Sequence, residues 1–287
     1  MTEPTPVAQY TGRRRGGEPM SPFIHVCGNL AKGVILALSK RDWGGMEHIP
    51  LSGPVILVWN HYSDIDPLVV VHYVLNAGRH PRFLLKESLV KIPVLGPIIK
   101  STGQIPVKRG SADAADALRV MSEQLEQGRT VVMSPEGTVT KEPDHWPMRG
   151  KTGVARLALE TGAPVVPIVQ WGALGIHDRR RSPKFKLGRK PVTVRALPAV
   201  DLSEWRGGEA TRADLIAATD RIMETLRDGL AQIRGEEPPP GLFDLRKQRA
   251  ETPDGTASDS VASDGTASDS APRPADQDRR EESEPSE

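Results

Sequence analysis

The chain has 287 residues, a formal net charge of +1 and a single cysteine, which leaves room for one large domain or two small ones. Cys27 alone excludes an intramolecular disulfide framework and a cysteine-rich zinc site, and this fits a reducing compartment. The near-neutral charge conceals an asymmetry: residues 251–287 carry eleven Asp/Glu against three Lys/Arg, leaving +9 on residues 1–250, a basic body suited to a polyanion, an anionic membrane surface or phosphorylated small molecules.

Residues 1–20 are polar and read as a disordered N-terminus. Arg13-Arg14-Arg15 hints at a twin-arginine signal, but no cleavage site follows the short apolar stretch, so export is not expected. Residues 22–39 set Phe23, Val26, Leu30, Val34 and Leu38 at helical spacing. This amphipathic helix, assigned to 21–40, either packs on its own domain or lies on a membrane with Lys32, Lys40 and Arg41 as its basic flank. No apolar run reaches the roughly 20 residues of a transmembrane helix; the longest candidates are broken by Lys91, Pro93 and Pro97 or by His72 and Tyr73.

Strand-like runs at 55–59, 82–86, 104–108, 130–134 and 164–171 then alternate with helical stretches at 67–75, 112–126 and 152–159, an α/β rhythm. Gly128 and Gly162 stand where helices are expected to end. A strand at 192–196 and an amphipathic helix at 212–233 complete a domain of residues 21–235. From Glu236 the composition changes to three consecutive prolines, two copies of DGTASDS at 254–260 and 264–270, and a charged end. Residues 236–287 are expected to be a disordered acidic tail, because they cannot bury enough apolar surface to fold.

Chemistry concentrates at "WNHYSDIDP", residues 59–67, directly after the apolar run Val55–Val58. Residues five apart on a helix lie roughly 140° from each other around the axis, so His61 and Asp66 meet only if a turn folds the chain back. Asp66-Pro67 reads as a helix cap followed by proline at the first helical position. As partner of the imidazole, Asp66 would also fix its tautomer and stabilise the imidazolium. Ser63 reads as a turn residue. Three further patches follow in order, each at a strand end or the loop beyond it: "GQIPVKRG" at 103–110, "SPEGTVT" at 134–140 and "APVVPIVQWG" at 163–172. Strand ends of an α/β sheet are where ligands bind. His72, His80, His145 and His177 lack suitably spaced partners, so no metal site is expected.

Together these blocks resemble the 1-acylglycerol-3-phosphate acyltransferases and their glycerolipid acyltransferase relatives: Asn60-His61 to Asp66, Gly103 to Arg109, Pro135-Glu136-Gly137-Thr138, and Val166-Pro167-Ile168. The resemblance covers residues 30–200 and implies an α/β fold, a single domain with a mixed central sheet flanked by helices. It implies transfer of a fatty acyl group from acyl-CoA or acyl carrier protein to the sn-2 hydroxyl of 1-acylglycerol-3-phosphate, with no cofactor and no nucleic-acid partner. His61 would be the base and Asp66 its orienter. Arg109, with Lys108 beside it, would bind phosphate, and Glu136, Gly137 and Thr138 the acceptor. Asn60 and Pro167 are accessory or groove candidates. Where many relatives follow PEGT with arginine this chain has Val139, and Lys141, Arg149 or Lys151 are candidates to replace the missing cation. The implied setting is peripheral or monotopic, on the cytoplasmic face of the cell membrane; protein partners stay open. Competing readings are another lysolipid or glycolipid acceptor, a thioesterase, and a non-enzymatic membrane lipid-binding protein.

Overall fold

The computed structural model describes residues 22–93, 95–107, 111–182, 184–186, 188–245 and 247–248. The N-terminal segment, residues 251–287, and both Lys108 and Arg109 lie outside them. Helix α1 (Pro22–Leu38) runs directly into β1 (Ser39–Gly44), followed by β2 (Val55–Trp59), α2 (Asp66–Asn76), β3 (Arg82–Lys86), α3 (Leu95–Ser101), β4 (Ile105–Val107), α4 (Ser111–Glu126) and β5 (Thr130–Met133). Then come α5 (Gly153–Thr161), β6 (Val165–Trp171), β7 (Lys190–Ala196) and α6 (Arg212–Arg234). The strands form one sheet in the order β1-β7-β6-β2-β5-β3-β4. From β6 to β4 all neighbours are parallel, β7 runs antiparallel to β6, and β1 is parallel to β7, so the sheet is mixed as expected.

β2 is central because all five of its residues, VILVW, are buried apolar side chains, the pattern of a strand covered on both faces. Val55, Leu57 and Trp59 join one core with Ile35 of α1 and Val69, Val70 and Tyr73 of α2. Ile56 and Val58 join the other, with Met121 and Leu125 of α4, Leu157 of α5 and Ile222 and Leu226 of α6. The result is a helix–sheet–helix sandwich in which β2 and β6 carry their C-terminal ends to one edge. Among the described residues, no helix is long and apolar enough to cross a membrane.

Three elements depart from the sequence reading. β1 has the sequence SKRDWG, whose three consecutive charges mask a strand; at the sheet edge these charges are tolerated, and Asp42 Oδ1 pairs with Arg195 Nη2 at 2.7 Å. α3 falls in a stretch read only as apolar. The packed region also extends past residue 235. Arg149 N donates to Phe243 O at 2.8 Å, Met148 bridges to Phe243, and Leu242 packs against the core under α4 to α6. One apolar pair, Leu242-Phe243, thus holds a segment whose average composition reads as tail.

Candidate active site

β2 ends at Trp59 and the loop 60–65 turns back on itself before α2. The turn is organised by one carboxylate. Asp66, fully buried, accepts from the backbone N–H of Tyr62 and Ser63, each at 2.8 Å, and from Trp59 Nε1 at 3.4 Å. His61 Nδ1 lies 2.8 Å from Asp66 Oδ1. A carboxylate already receiving N–H groups is an acceptor, so Nδ1 carries the proton it shares with Asp66 and Nε2 is the basic nitrogen of the neutral ring. The imidazole side chain is 18% exposed while the Asp66 side chain is 0% exposed, so the ring reaches the surface and its orienter does not. Burial disfavours the imidazolium, but the hydrogen bond and charge of Asp66, helped by Glu136 and Asp64, outweigh it and hold the His61 pKa above its ordinary value. Asp66 is the first residue of α2, with Ile65 at the cap position. Its side chain therefore turns back to the loop instead of capping the helix as the sequence suggested.

The "SPEGTVT" turn closes the other side of the loop. Glu136, 2% exposed, accepts from His61 N through Oε1 and from Met148 N through Oε2, both at 3.2 Å. Burial above all pushes its pKa up to about 7, against the N–H groups of Met148 and His61 and the Thr140 hydroxyl, which stabilise the anion. Thr140 N donates to His61 O at 2.7 Å, and Thr140 Oγ1 to Trp146 O at 2.8 Å. Both backbone polar groups of His61 are thus held by this turn. Gly137 has φ 68° and makes the turn with its N–H on Ser134 O at 3.1 Å; that left-handed conformation suits glycine. A histidine with a fixed tautomer, oriented by a buried carboxylate at the C-terminal edge of a sheet, can act as a general base.

Residues 40–171 match the family model described as Acyltransferase, with every residue of this hub inside the match. The chain is 34% identical over 153 residues to a chloroplastic 1-acyl-sn-glycerol-3-phosphate acyltransferase of Brassica napus, covering 52% of this chain and 43% of that protein. It is 32% identical over 127 residues to a lyso-ornithine lipid O-acyltransferase of Pseudomonas aeruginosa, covering 44% of this chain and 46% of that one. The chain thus spans less than half the length of these curated relatives. Its fold matches the crystal structure of the 1-acyl-sn-glycerophosphate acyltransferase PlsC from Thermotoga maritima, with a TM-score of 0.59 at 23% identity over 75% of this chain and 81% of that one.

The acyltransferase motifs do not all converge on His61. Asn60, 1% exposed, ties β2 to β6: its Nδ2 donates to Gln170 O at 3.0 Å and its Oδ1 accepts from Gln170 N at 2.9 Å. Pro167 is buried in β6 opposite Val58, on the face of Val165 and Val169 that packs against α4 to α6 and away from Trp59. Ser63 Oγ donates to His177 O at 3.0 Å. Asp64 lies on the surface 3.8 Å from Arg179. Thr138 is half-buried. Arg149, a candidate replacement for the arginine absent at Val139, is engaged by Asp220 at 3.0 Å and Asp244 at 3.2 Å. Lys151 remains close: its Nζ lies 3.1 Å from where a Cβ on Gly137 would be. Lys108 and Arg109 fall outside the described residues. Thr140, Trp59 and Gln170 escaped the sequence reading, since each acts through a partner distant in sequence or through its indole edge.

Proposed function

We propose that the chain transfers a fatty acyl group from an acyl-CoA or acyl carrier protein thioester to the sn-2 hydroxyl of 1-acylglycerol-3-phosphate, giving phosphatidic acid. The observation that carries this is the 2.8 Å contact of His61 Nδ1 with a carboxylate itself held by two backbone N–H groups. An alcohol attacks a thioester slowly at neutral pH, and a base that removes its proton during attack contributes about 10² to 10⁴ in rate. His61 Nε2 takes the hydroxyl proton as the oxygen bonds to the thioester carbon. The tetrahedral intermediate then expels the thiolate, and the imidazolium returns the proton to sulfur. Glu136 positions the loop instead of touching the acceptor, being 2% exposed with both oxygens engaged. Arg109, with Lys108, takes the acceptor phosphate through its fork of donors. No cofactor beyond the acyl thioester enters the scheme.

α1 supports a peripheral or monotopic setting on the cytoplasmic face of the membrane. Phe23, Val26, Leu30 and Val34 are 43%, 65%, 68% and 39% exposed, an apolar face on a helix too short and polar to span. A second acceptor reading rests on Val139 and on the relative named for lyso-ornithine lipid. Purified protein given an acyl thioester and a panel of lysolipids, with products identified by mass, decides between them. The proposal expects phosphatidic acid as the main product and an Arg109→Ala variant impaired chiefly on phosphate-bearing acceptors. Thiol release without any acylated lipid would instead make the protein a thioesterase.

A further inference from the structure

Where α1, β1 and the middle of α2 meet, the core contains nitrogens that nothing satisfies. Among the described residues, Arg41 Nη1, Trp43 Nε1 and both ring nitrogens of His72 have no hydrogen-bond partner, although Trp43 is 2% and His72 1% exposed. They gather around one indole. The His72 ring meets Trp43 edge-on with centroids 4.7 Å apart, and the Arg41 guanidinium stands over the indole at 5.0 Å. Native cores pair most of their buried polar groups. Arg79, equally buried, donates to Thr130 Oγ1 and to the carbonyls of Pro50, Gly53 and Gly128.

The junction is also cationic. Arg41 and Lys32 both bear on His72, and Arg189 bears on Arg41. Burial, then Arg41 and Lys32, push the imidazole down to about 4, so the ring is neutral and offers one N–H. The neighbouring acid, Asp42, is taken up by Arg195 at 2.7 Å. Positive charge and N–H donors without an acceptor describe a receptor for an oxyanion.

Its position says which one. Asp42 is in register with Thr193, and Thr193 with Trp171, so the start of β1 lies at the sheet edge where β6 ends, beside the catalytic loop. In the order β1-β7-β6-β2 it stands about 14 Å from β2 at roughly 4.8 Å per strand. Lys32 is exposed on α1, as are Phe23, Val26, Leu30 and Val34.

We propose that this junction is a second, non-catalytic anion site that takes the phosphate of an anionic glycerophospholipid headgroup when α1 lies on a bilayer. Half-buried Arg41 and exposed Lys32 supply its charge, and Trp43 and His72 supply donors behind them. The proposal rests on the membrane-facing reading of α1, and its residues differ from those assigned to the acceptor phosphate.

Flotation of the full chain with vesicles of phosphatidylcholine, or of phosphatidylcholine mixed with phosphatidylglycerol, tests it. Turnover on a water-soluble short-chain acceptor serves as the check on folding. Wild type should prefer the anionic vesicles. Arg41→Gln should lose about tenfold on them, more than the roughly fivefold that one surface charge contributes, and nothing on neutral ones. Trp43→Phe, which removes one N–H and no charge, should lose about threefold, the share of one modest hydrogen bond. Arg212→Gln, a charge change on exposed α6, should lose less than Arg41→Gln. Inorganic phosphate should release the protein from anionic vesicles better than chloride at equal ionic strength. Equal losses for Arg41→Gln and Arg212→Gln, wild-type binding by Trp43→Phe, or equal release by chloride would each overturn the site. Failure of wild type to bind either vesicle would instead overturn the membrane-facing reading of α1.

Discussion

The loop around His61 and the junction around His72 each bury a histidine beside other polar groups, and they resolve the burial in opposite ways. Around His61 both carboxylates are closed: Asp66 receives four N–H groups, and Glu136 receives one backbone N–H on each oxygen. Around His72 neither ring nitrogen is paired. The Asp66 charge lifts the first histidine above its ordinary pKa, while burial and two cations drop the second to about 4. A closed network fixes geometry, which proton transfer needs; an open set of donors has binding capacity to spare.

The sharpest way to break the comparison is at the bases themselves. His61→Ala should lower kcat by about 10³-fold or more, within the range for removing a general base, whereas His72→Phe should leave kcat on a soluble acceptor unchanged. Comparable losses in both would erase the functional distinction. Asp66→Asn comes next. An amide cannot accept from all four N–H groups, and it no longer fixes the proton on Nδ1, so a loss of about 10² to 10⁴ in kcat is expected. Asp64→Asn, changed on the surface beside Arg179, should cost less than about threefold. Steady-state assays of the two aspartate variants side by side read this directly.

Glu136→Gln has a smaller and more specific effect. In the proposed scheme the base works as neutral imidazole, so kcat/KM should rise with pH along an acid limb centred above 6.5, the ordinary histidine value. Glu136 charge contributes to that elevation, so the glutamine variant should move the limb to lower pH while losing about tenfold in rate from the loosened loop. A limb that stays in place would show that Glu136 acts only through its hydrogen bonds. Stability carries the same sign: folding raises both pKa values, so these groups stabilise the protein at low pH. Glu136's contribution fades from its unfolded 4.5 up to about 7, and His61's fades as pH rises from 6.5 through its raised pKa.

How much of this was legible in the sequence follows from range. The His61–Asp66 pair lies within one turn and was picked out because its spacing, with the blocks that follow it, matches the family pattern; the structure brings the two side chains to 2.8 Å. β2 and β6 were equally plain, because strands buried on both faces are unbroken apolar runs. β1 was hidden, since an edge strand can carry Lys40, Arg41 and Asp42 and still pair. Thr140 and Gln170 serve the site through backbone groups 79 and 110 positions away, and no local pattern announces such contacts. Asn60 and Glu136 were picked out from their motifs, and the structure adds that both are buried with their polar atoms engaged by Gln170, His61 and Met148.

The smallest expected effect is also the most direct probe of the open cluster. If the ring nitrogens of His72 truly lack partners, His72→Phe removes no hydrogen bond and replaces one flat ring with another, so stability in urea at pH 7 should change by no more than about 1 kcal/mol. A loss of several kcal/mol would mean that the nitrogens are paired in the folded protein. The pH dependence separates the cases further. With a folded pKa of about 4 against an ordinary 6.5, the unfolded chain binds the extra proton between these values, so His72 makes the wild type lose stability as pH falls from 6.5 toward 4. His72→Phe should lose that part of the slope while keeping the opposing contributions of His61 and Glu136. Its stability curve should therefore lie increasingly above that of wild type toward pH 4, and curves that stay parallel would place the His72 pKa at its ordinary value.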